Sequence, residues 1–418
     1  MNQETRNLLT KKRWMVLIAS CIINLCIGMM YTWSVFAGPM AEYISLIKGA
    51  AVTASDLAIV FSIGNSTGFI AMIGGGFLVQ KIGPKWVIFI GGIVFGIGFA
   101  LCGISESIGM LIIGYGILSG LANGLVYGCT ISNTVKFFPD KAGFAGGVAT
   151  ASYGISSVIL PPVANALIQG FGVNKAFMYL GVFIIISVGV FAQFIIKCPV
   201  GFVPSGFTVS QNVTDRKDIV IDKNWKEMLA SPIFYVMIIM MFFGGVLGMM
   251  IISQASGMAQ NMIGMTAAEA AIVVSVLALF NTLGRVLAGM ISDRIGYINT
   301  LTGVYIIAAA GMGILYISSN GSALLFYIGV CTIGACFGSL MGVYPGFTQS
   351  RFGTKNASIN YGIMFIGFNM SGLIGPMIVG NVVAATGAYN TAFVIALTFA
   401  LIGLMLSFVY RSLSRRLV

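Results

Sequence analysis

One arginine stands apart in this sequence. Arg285 lies within an otherwise apolar run, and Asn281 precedes it by one helical turn on the same face. A charge at the centre of a bilayer costs roughly 2.5–3.5 kcal/mol on insertion scales, so an embedded arginine calls for a counter-ion. A guanidinium offers a planar fork to a carboxylate, and Asn281 can orient it or donate a further bond. Every acidic residue can be placed outside the membrane core. Glu42, Asp56, Glu106 and Glu269 fall toward one face; Glu4, Asp140, Asp215, Asp218, Asp222, Glu227 and Asp293 fall toward the other. No carboxylate is left at mid-membrane to carry a proton or bind sodium, so the natural counter-ion is a bound anion. The competing reading is that Arg285 snorkels to the nearer surface, about two turns away. Tyr31, Trp33, Asn65, Tyr127, Tyr153, Ser253, Gln254 and Asn369 are further polar or aromatic residues within apolar runs. Tyrosine hydroxyls can donate to a small carboxylate while their rings exclude water, although each such residue alone reads equally well as a packing group.

The elements that must position these residues are membrane helices. Of 418 residues, 58% are hydrophobic and 8% charged, against about 25% charged in a soluble domain. Apolar runs of about 18 residues or more recur from end to end. They predict an all-α polytopic membrane protein with twelve spans, roughly 14–37, 55–79, 86–106, 109–134, 143–169, 175–197, 232–256, 267–290, 298–317, 323–348, 357–385 and 389–410. The one long polar stretch divides the chain into an N-terminal six-helix bundle (1–197), a cytoplasmic linker (198–231) and a C-terminal six-helix bundle (232–418). Trp14 to Phe36 is a full spanning length followed by Pro39, which is unlike a cleavable signal. With the N-terminus inside, nineteen basic residues face the cytoplasm and only Lys48 and Lys175 face outward. That asymmetry places both termini in the cytoplasm, with the protein in the plasma or inner membrane. The net charge of +11 is therefore a topology signal, not a nucleic-acid footprint.

The halves repeat. Thr53 to Val60 aligns with Thr266 to Val273 at an offset of 213, and the same offset carries Gly76, Gln80 and Gly83 onto Gly289, Asp293 and Gly296. The ladder Gly120, Gly124, Gly128 returns as Gly334, Gly338, Gly342, and Pro161 returns as Pro376. Two similar halves suit alternating access around a site near the midplane. Glycine ladders leave a helix face bare, so that a neighbour can approach closely and slide. Asp293 and Arg294 can pair or cap neighbouring helix ends and hold one state shut, whereas Gln80 offers a hydrogen bond without charge. Pro161, Pro162 and Pro376 favour bends within their spans. The seven cysteines form no CxxC pair and read as packing residues; without histidine, imidazole metal sites and histidine acid–base chemistry are impossible.

These features resemble the major facilitator superfamily, and within it the oxalate/formate antiporter family, which is related to the monocarboxylate transporters. The resemblance rests on Gly76 to Lys85 and Gly289 to Gly296, on Tyr31-Thr-Trp33-Ser with Gly38-Pro39, and on Val126-Tyr127-Gly128 followed by Phe138-Pro139-Asp140-Lys141. Tyr153-Gly154, Glu227-Met-Leu229 before Pro232-x-Phe234, and Asn360-Tyr361-Gly362 complete it. It implies a fold of two pseudo-symmetric six-helix bundles in which Arg285 binds a substrate carboxylate and Tyr31, Trp33, Tyr127 and Tyr153 help form the pocket. Aligned on Asn360-Tyr361-Gly362, Phe368 stands where the oxalate transporter has a second base. Phe337 stands at its span-ten tryptophan, and Met30 at a span-one glutamine. One arginine neutralises a monoanion such as lactate, pyruvate or formate, but leaves one charge of oxalate unpaired. The expectation is monocarboxylate transport, most simply by exchange, with oxalate:formate antiport and proton-coupled symport as the alternatives. The expected partners are a small organic carboxylate and the lipid bilayer, with no cofactor, no metal and no nucleic acid, in a protein that works as a monomer. An enzyme would need a nucleophile, a metal cluster or an acid–base pair, and a cation or drug transporter an embedded acid; the sequence supplies none of these.

Overall fold

The computed structural model describes residues 3–49, 51–207, 222–319 and 321–416. Among them every regular element is helical. In chain order these are α1 (Gln3–Ile27), a 3-10 segment (Gly28–Thr32), α2 (Trp33–Lys48), α3 (Ala58–Ile82), α4 (Pro84–Cys102), α5 (Ile108–Leu111), a π-helical segment (Ile112–Ser119) and α6 (Gly120–Lys136). Then follow α7 (Ala142–Phe171), α8 (Val173–Ala192), α9 (Trp225–Leu229), α10 (Pro232–Ile263), α11 (Ala267–Ile295) and α12 (Tyr297–Ser318). The last are α13 (Ala323–Phe352), α14 (Ala357–Met364), α15 (Ile366–Thr386) and α16 (Asn390–Arg416). They make twelve helical segments long and apolar enough to cross a membrane, so the all-α twelve-span architecture holds.

The repeated threonine–acid motif is local capping chemistry. Thr266 and Glu269 form a capping box at the start of α11. The backbone N–H of Thr53 and its hydroxyl both donate to the Asp56 carboxylate at 2.8 Å, just before α3. Those bonds hold the Asp56 carboxyl below its usual range. Gly83 (φ +82°) and Gly296 (φ +88°) each join two helices by a single residue in the left-handed region.

Two spans depart from expectation. The first runs from Gln3 to Lys48, well beyond 14–37, and is interrupted by the 3-10 segment. The helices continue through Pro161, Pro162 and Pro376, and the α-helical pattern is interrupted at Gly28–Thr32 and at Phe365. Backbone can leave the α-helical pattern inside a membrane only where other groups satisfy it. Here the Ser156 hydroxyl donates to the Gly28 carbonyl at 3.1 Å, Thr32 to that of Met29 at 2.7 Å, and Tyr115 to that of Met30.

The chain forms two compact units. The first comprises Met1–Pro139, Ser152–Ser205 and Ala357–Ile363; the second comprises Asp140–Ala151, Gly206–Asn356 and Met364–Val418. In the first unit, Gly120, Gly124 and Gly128 of α6 lie against Gly64, Gly68 and Met72 of α3, so closely that an added Cβ at each would collide. α1 meets α6 through Thr134 to Ser20 (2.8 Å) and Thr130 to Asn24 (2.7 Å). α14 joins this unit through Ser358, which shares a 2.6 Å hydrogen bond with Ser132, and through Ile359, whose backbone nitrogen would lie 2.7 Å from a Cβ on Gly76.

The second unit repeats the arrangement. Gly334, Gly338 and Gly342 of α13 abut the backbone carbonyls of Leu277, Asn281 and Arg285 of α11. At the repeat offset of 213, those three residues correspond to Gly64, Gly68 and Met72. The N-terminal turns of α7 lie along the same helix, with Gly143 against the Gly289 carbonyl and Gly147 against that of Arg285. The glycine ladders thus bring backbones into contact in both units, and in the second they do so at the turns that carry Asn281 and Arg285.

Candidate functional site

Arg285 is only 3% exposed, and its guanidinium turns inward. Nε donates to Asn281 Oδ1 at 3.3 Å, and Nη1 donates to the backbone carbonyl of Thr150 in α7 at 2.6 Å. Snorkelling is therefore overturned: the group is buried and bonded inside the second unit. Both acceptors are neutral. Among the described residues no carboxylate pairs with it, and Nη2 donates to no protein group. A desolvated cation bonded only to neutral oxygens is left without a compensating charge.

In the same unit Phe337 and Phe368 come together, with ring centroids 5.7 Å apart, and Phe365 lies 4.8 Å from Phe368. Gly248 makes room for this pair, because its Cβ would run into the Phe337 ring. The positions at which the oxalate/formate comparison expects a tryptophan and a base form an aromatic, uncharged contact.

The first unit assembles the tyrosines. Tyr31 belongs to the 3-10 segment, Tyr127 to α6 and Tyr153 to α7. Tyr153 is the hub, 5.3 Å from Tyr31 and 4.9 Å from Tyr127 between ring centroids, both edge-on. Asn123 donates to the Tyr153 hydroxyl at 3.1 Å, while its own Oδ1 is buried without a partner. Trp33 is not part of this cluster; its ring packs on Tyr115 at 4.5 Å. Asn65, Ser253 and Asn369 bond carbonyls of their own helices, those of Phe61, Met250 and Phe365, which is a packing role.

The expected gating residues divide. The Asp293 carboxylate accepts the backbone N–H groups of Gly143 (2.7 Å) and Phe144 (2.8 Å). These are first-turn amides of α7 that lack intrahelical partners, so Asp293 caps a helix distant in sequence. Arg294 is exposed and makes no such bond, and Gln80 is exposed as well. Gly76 and Gly289 are close-contact positions, and Gly83 and Gly296 are the turns described above.

Two residues escaped the sequence. Asn123 lies one turn before Tyr127 on α6, so helical spacing could have found it. Thr150 contributes a backbone carbonyl, which no residue type announces. Among the described residues no group of three His, Cys, Asp or Glu is placed to hold a metal.

Comparison with known proteins adds a family. The profile described as Major Facilitator Superfamily matches residues 19–376. An uncharacterized MFS-type transporter of Escherichia coli K12, YhjX, is 28% identical over 364 residues, covering 87% of this chain and 86% of its own. The oxalate:formate antiporter of Oxalobacter formigenes is 27% identical over 386 residues, covering 92% and 88%. Among solved structures, the transporter FucP in its outward conformation superposes with a TM-score of 0.70 at 16% identity, covering 94% of this chain and 98% of that one, a likeness of fold.

Proposed function

This chain belongs to the Major Facilitator Superfamily, secondary transporters of small solutes by alternating access, and we propose that its substrate is a small monocarboxylate bound through Arg285. The observation that carries the proposal is the guanidinium itself: 3% exposed, bonded to two neutral oxygens, and without a protein carboxylate. Burying such a charge unpaired is expensive, and a substrate carboxylate relieves it. A monoanion such as formate, lactate or pyruvate balances the single charge, whereas a dianion leaves one negative charge over. The Phe337–Phe368 contact favours the same choice, since it offers no second cation. Likeness to an oxalate:formate antiporter supports a carboxylate in general.

Exchange is the simplest mode of operation. An empty site keeps an uncompensated cation, so the return step is easier with an anion aboard. The Tyr31–Tyr127–Tyr153 cluster contributes hydroxyls and dry ring faces in its own unit. The Asp293 cap on α7 serves as a latch in one transport state. The protein sits in the plasma or inner membrane with both termini cytoplasmic, as its basic residues dictate, and works as a monomer.

The test is uptake of radiolabelled formate, lactate and oxalate into liposomes holding the purified protein, with internal anion and pH gradient varied separately. Formate or lactate should exchange faster than oxalate, with stimulation by internal anion and no requirement for a pH gradient. Oxalate exchange as fast as that of the monoanions defeats the charge-balance argument. A strict need for inward protons would replace exchange with symport. Arg285→Lys keeps the charge but loses the fork; given about 1.5–3 kcal/mol for a hydrogen bond to a charged group, apparent affinity should fall about tenfold or more.

A further inference from the structure

The substrate site and the start of α7 share one bond. Residues 140–151 belong to the second unit and lie along α11 at three levels. Asp293 holds the amides of Gly143 and Phe144. The Gly147 backbone packs on the Arg285 carbonyl. The Arg285 side chain, through Nη1, holds the Thr150 carbonyl at 2.6 Å. Only the third contact uses the group assigned to the substrate. A ligand can shift a conformational equilibrium only through contacts that differ between the two states, and this contact can differ.

The guanidinium's geometry says how. Its side-on edge needs Nε, which already faces Asn281 Oδ1 at 3.3 Å. A bidentate carboxylate is left with the Nη1–Nη2 edge, where Nη1 already gives one of its two N–H groups to Thr150 at 2.6 Å. The bond to Thr150 is charge-assisted through its donor alone, whereas a carboxylate adds the direct attraction of opposite charges at a buried site. A carboxylate seated on this edge draws the guanidinium toward itself, against the pull of the neutral Thr150 carbonyl.

We propose that the Thr150 carbonyl is an internal stand-in for the substrate's carboxylate: it occupies Arg285 Nη1 in the anion-free protein, and the arriving anion displaces it and loosens residues 140–151 from α11. The inference rests on Arg285 as the carboxylate site. It adds that the same side chain is both receptor and tether, so that occupancy is transmitted to a helix end without an intervening chain of residues.

Hydrogen–deuterium exchange on the full-length protein, read by mass spectrometry over residues 140–151, tests this with formate and lactate as probes. Binding of each anion is measured in parallel by calorimetry. Without anion the segment should be protected. Saturating formate or lactate should speed its exchange by about fivefold or more, the lower range of ordinary coupling between sites. Arg285→Gln should exchange fast without anion and show no further response. Asp293→Asn should also exchange faster at rest, yet retain the response to anion. Anion that binds without changing exchange overturns the tether and leaves the carboxylate site standing, as does Arg285→Gln with protection at the original level. If neither anion binds, both readings fall.

Discussion

Gly338→Ala offers a demanding test of how the site is positioned. The added Cβ would collide with the Asn281 carbonyl oxygen and lie 2.8 Å from its carbon and 2.9 Å from its Oδ1. Carbon atoms in ordinary contact are about 3.5–4.0 Å apart, so α13 and α11 must separate by about 1 Å. The opposing groups include rigid helical backbone, which cannot rotate aside as a flexible side chain would. Overpacking of this kind costs about 1–3 kcal/mol, and misplacing a binding group by about 1 Å can cost about a hundredfold in a positioned reaction. Asn281 and Arg285 should move together with α11, keeping their mutual bond but shifting the guanidinium relative to the Thr150 carbonyl of α7. Anion exchange in liposomes should fall at least about tenfold, together with a lower unfolding temperature in detergent. The control is Gly303→Ala on α12, whose added Cβ meets nothing within 4 Å; alanine there should be neutral or favourable by up to about 1 kcal/mol. Refutation is simple: Gly338→Ala transporting and melting like Gly303→Ala would mean that the close approach of α11 and α13 does not position the site.

Two further outcomes are expected. Tyr115→Phe keeps the ring contacts with Trp33 and Phe99 but removes the donor to the Met30 carbonyl; the stranded carbonyl should cost about 1–3 kcal/mol, and an unchanged unfolding temperature would contradict the role given to that bond. Burial pushes the Cys198 thiol up to about 12, so maleimide at neutral pH should leave Cys198 unmodified until detergent denaturation exposes it, and rapid labelling of the native protein would refute this.

How legible all this was in the sequence varies with the physics of each feature. Span number and helical class follow from apolar length and scarcity of charge, which hydropathy reads directly. The break in the first span does not, because Gly28–Thr32 is as apolar as its flanks and is stabilised by hydroxyls on Thr32, Tyr115 and Ser156, two of them remote in the chain. At Gly28–Thr32 the α-helical pattern yields where donors from elsewhere in the chain are available. Arg285 was conspicuous as the one embedded charge, and Asn281 followed by helical spacing. Its partner Thr150 was invisible, since a backbone acceptor can come from any residue. The ladders showed that some helix would approach closely, but not that α3 and α11 were the ones.

The ladder in the second unit meets carbonyl oxygens at 277, 281 and 285, atoms that every amino acid possesses. Backbone thus carries much of the seating of α13 against α11, with the Leu277 side chain and Asn281 Oδ1 adding contacts beside it. The other copy carries Gly64, Gly68 and Met72 on an equivalent ladder, so one scaffold is built with either a cation or an uncharged side chain at the same point. The close approach of paired helices is thus compatible with different side chains at that level, which leaves the chemistry displayed there free to differ between the two halves.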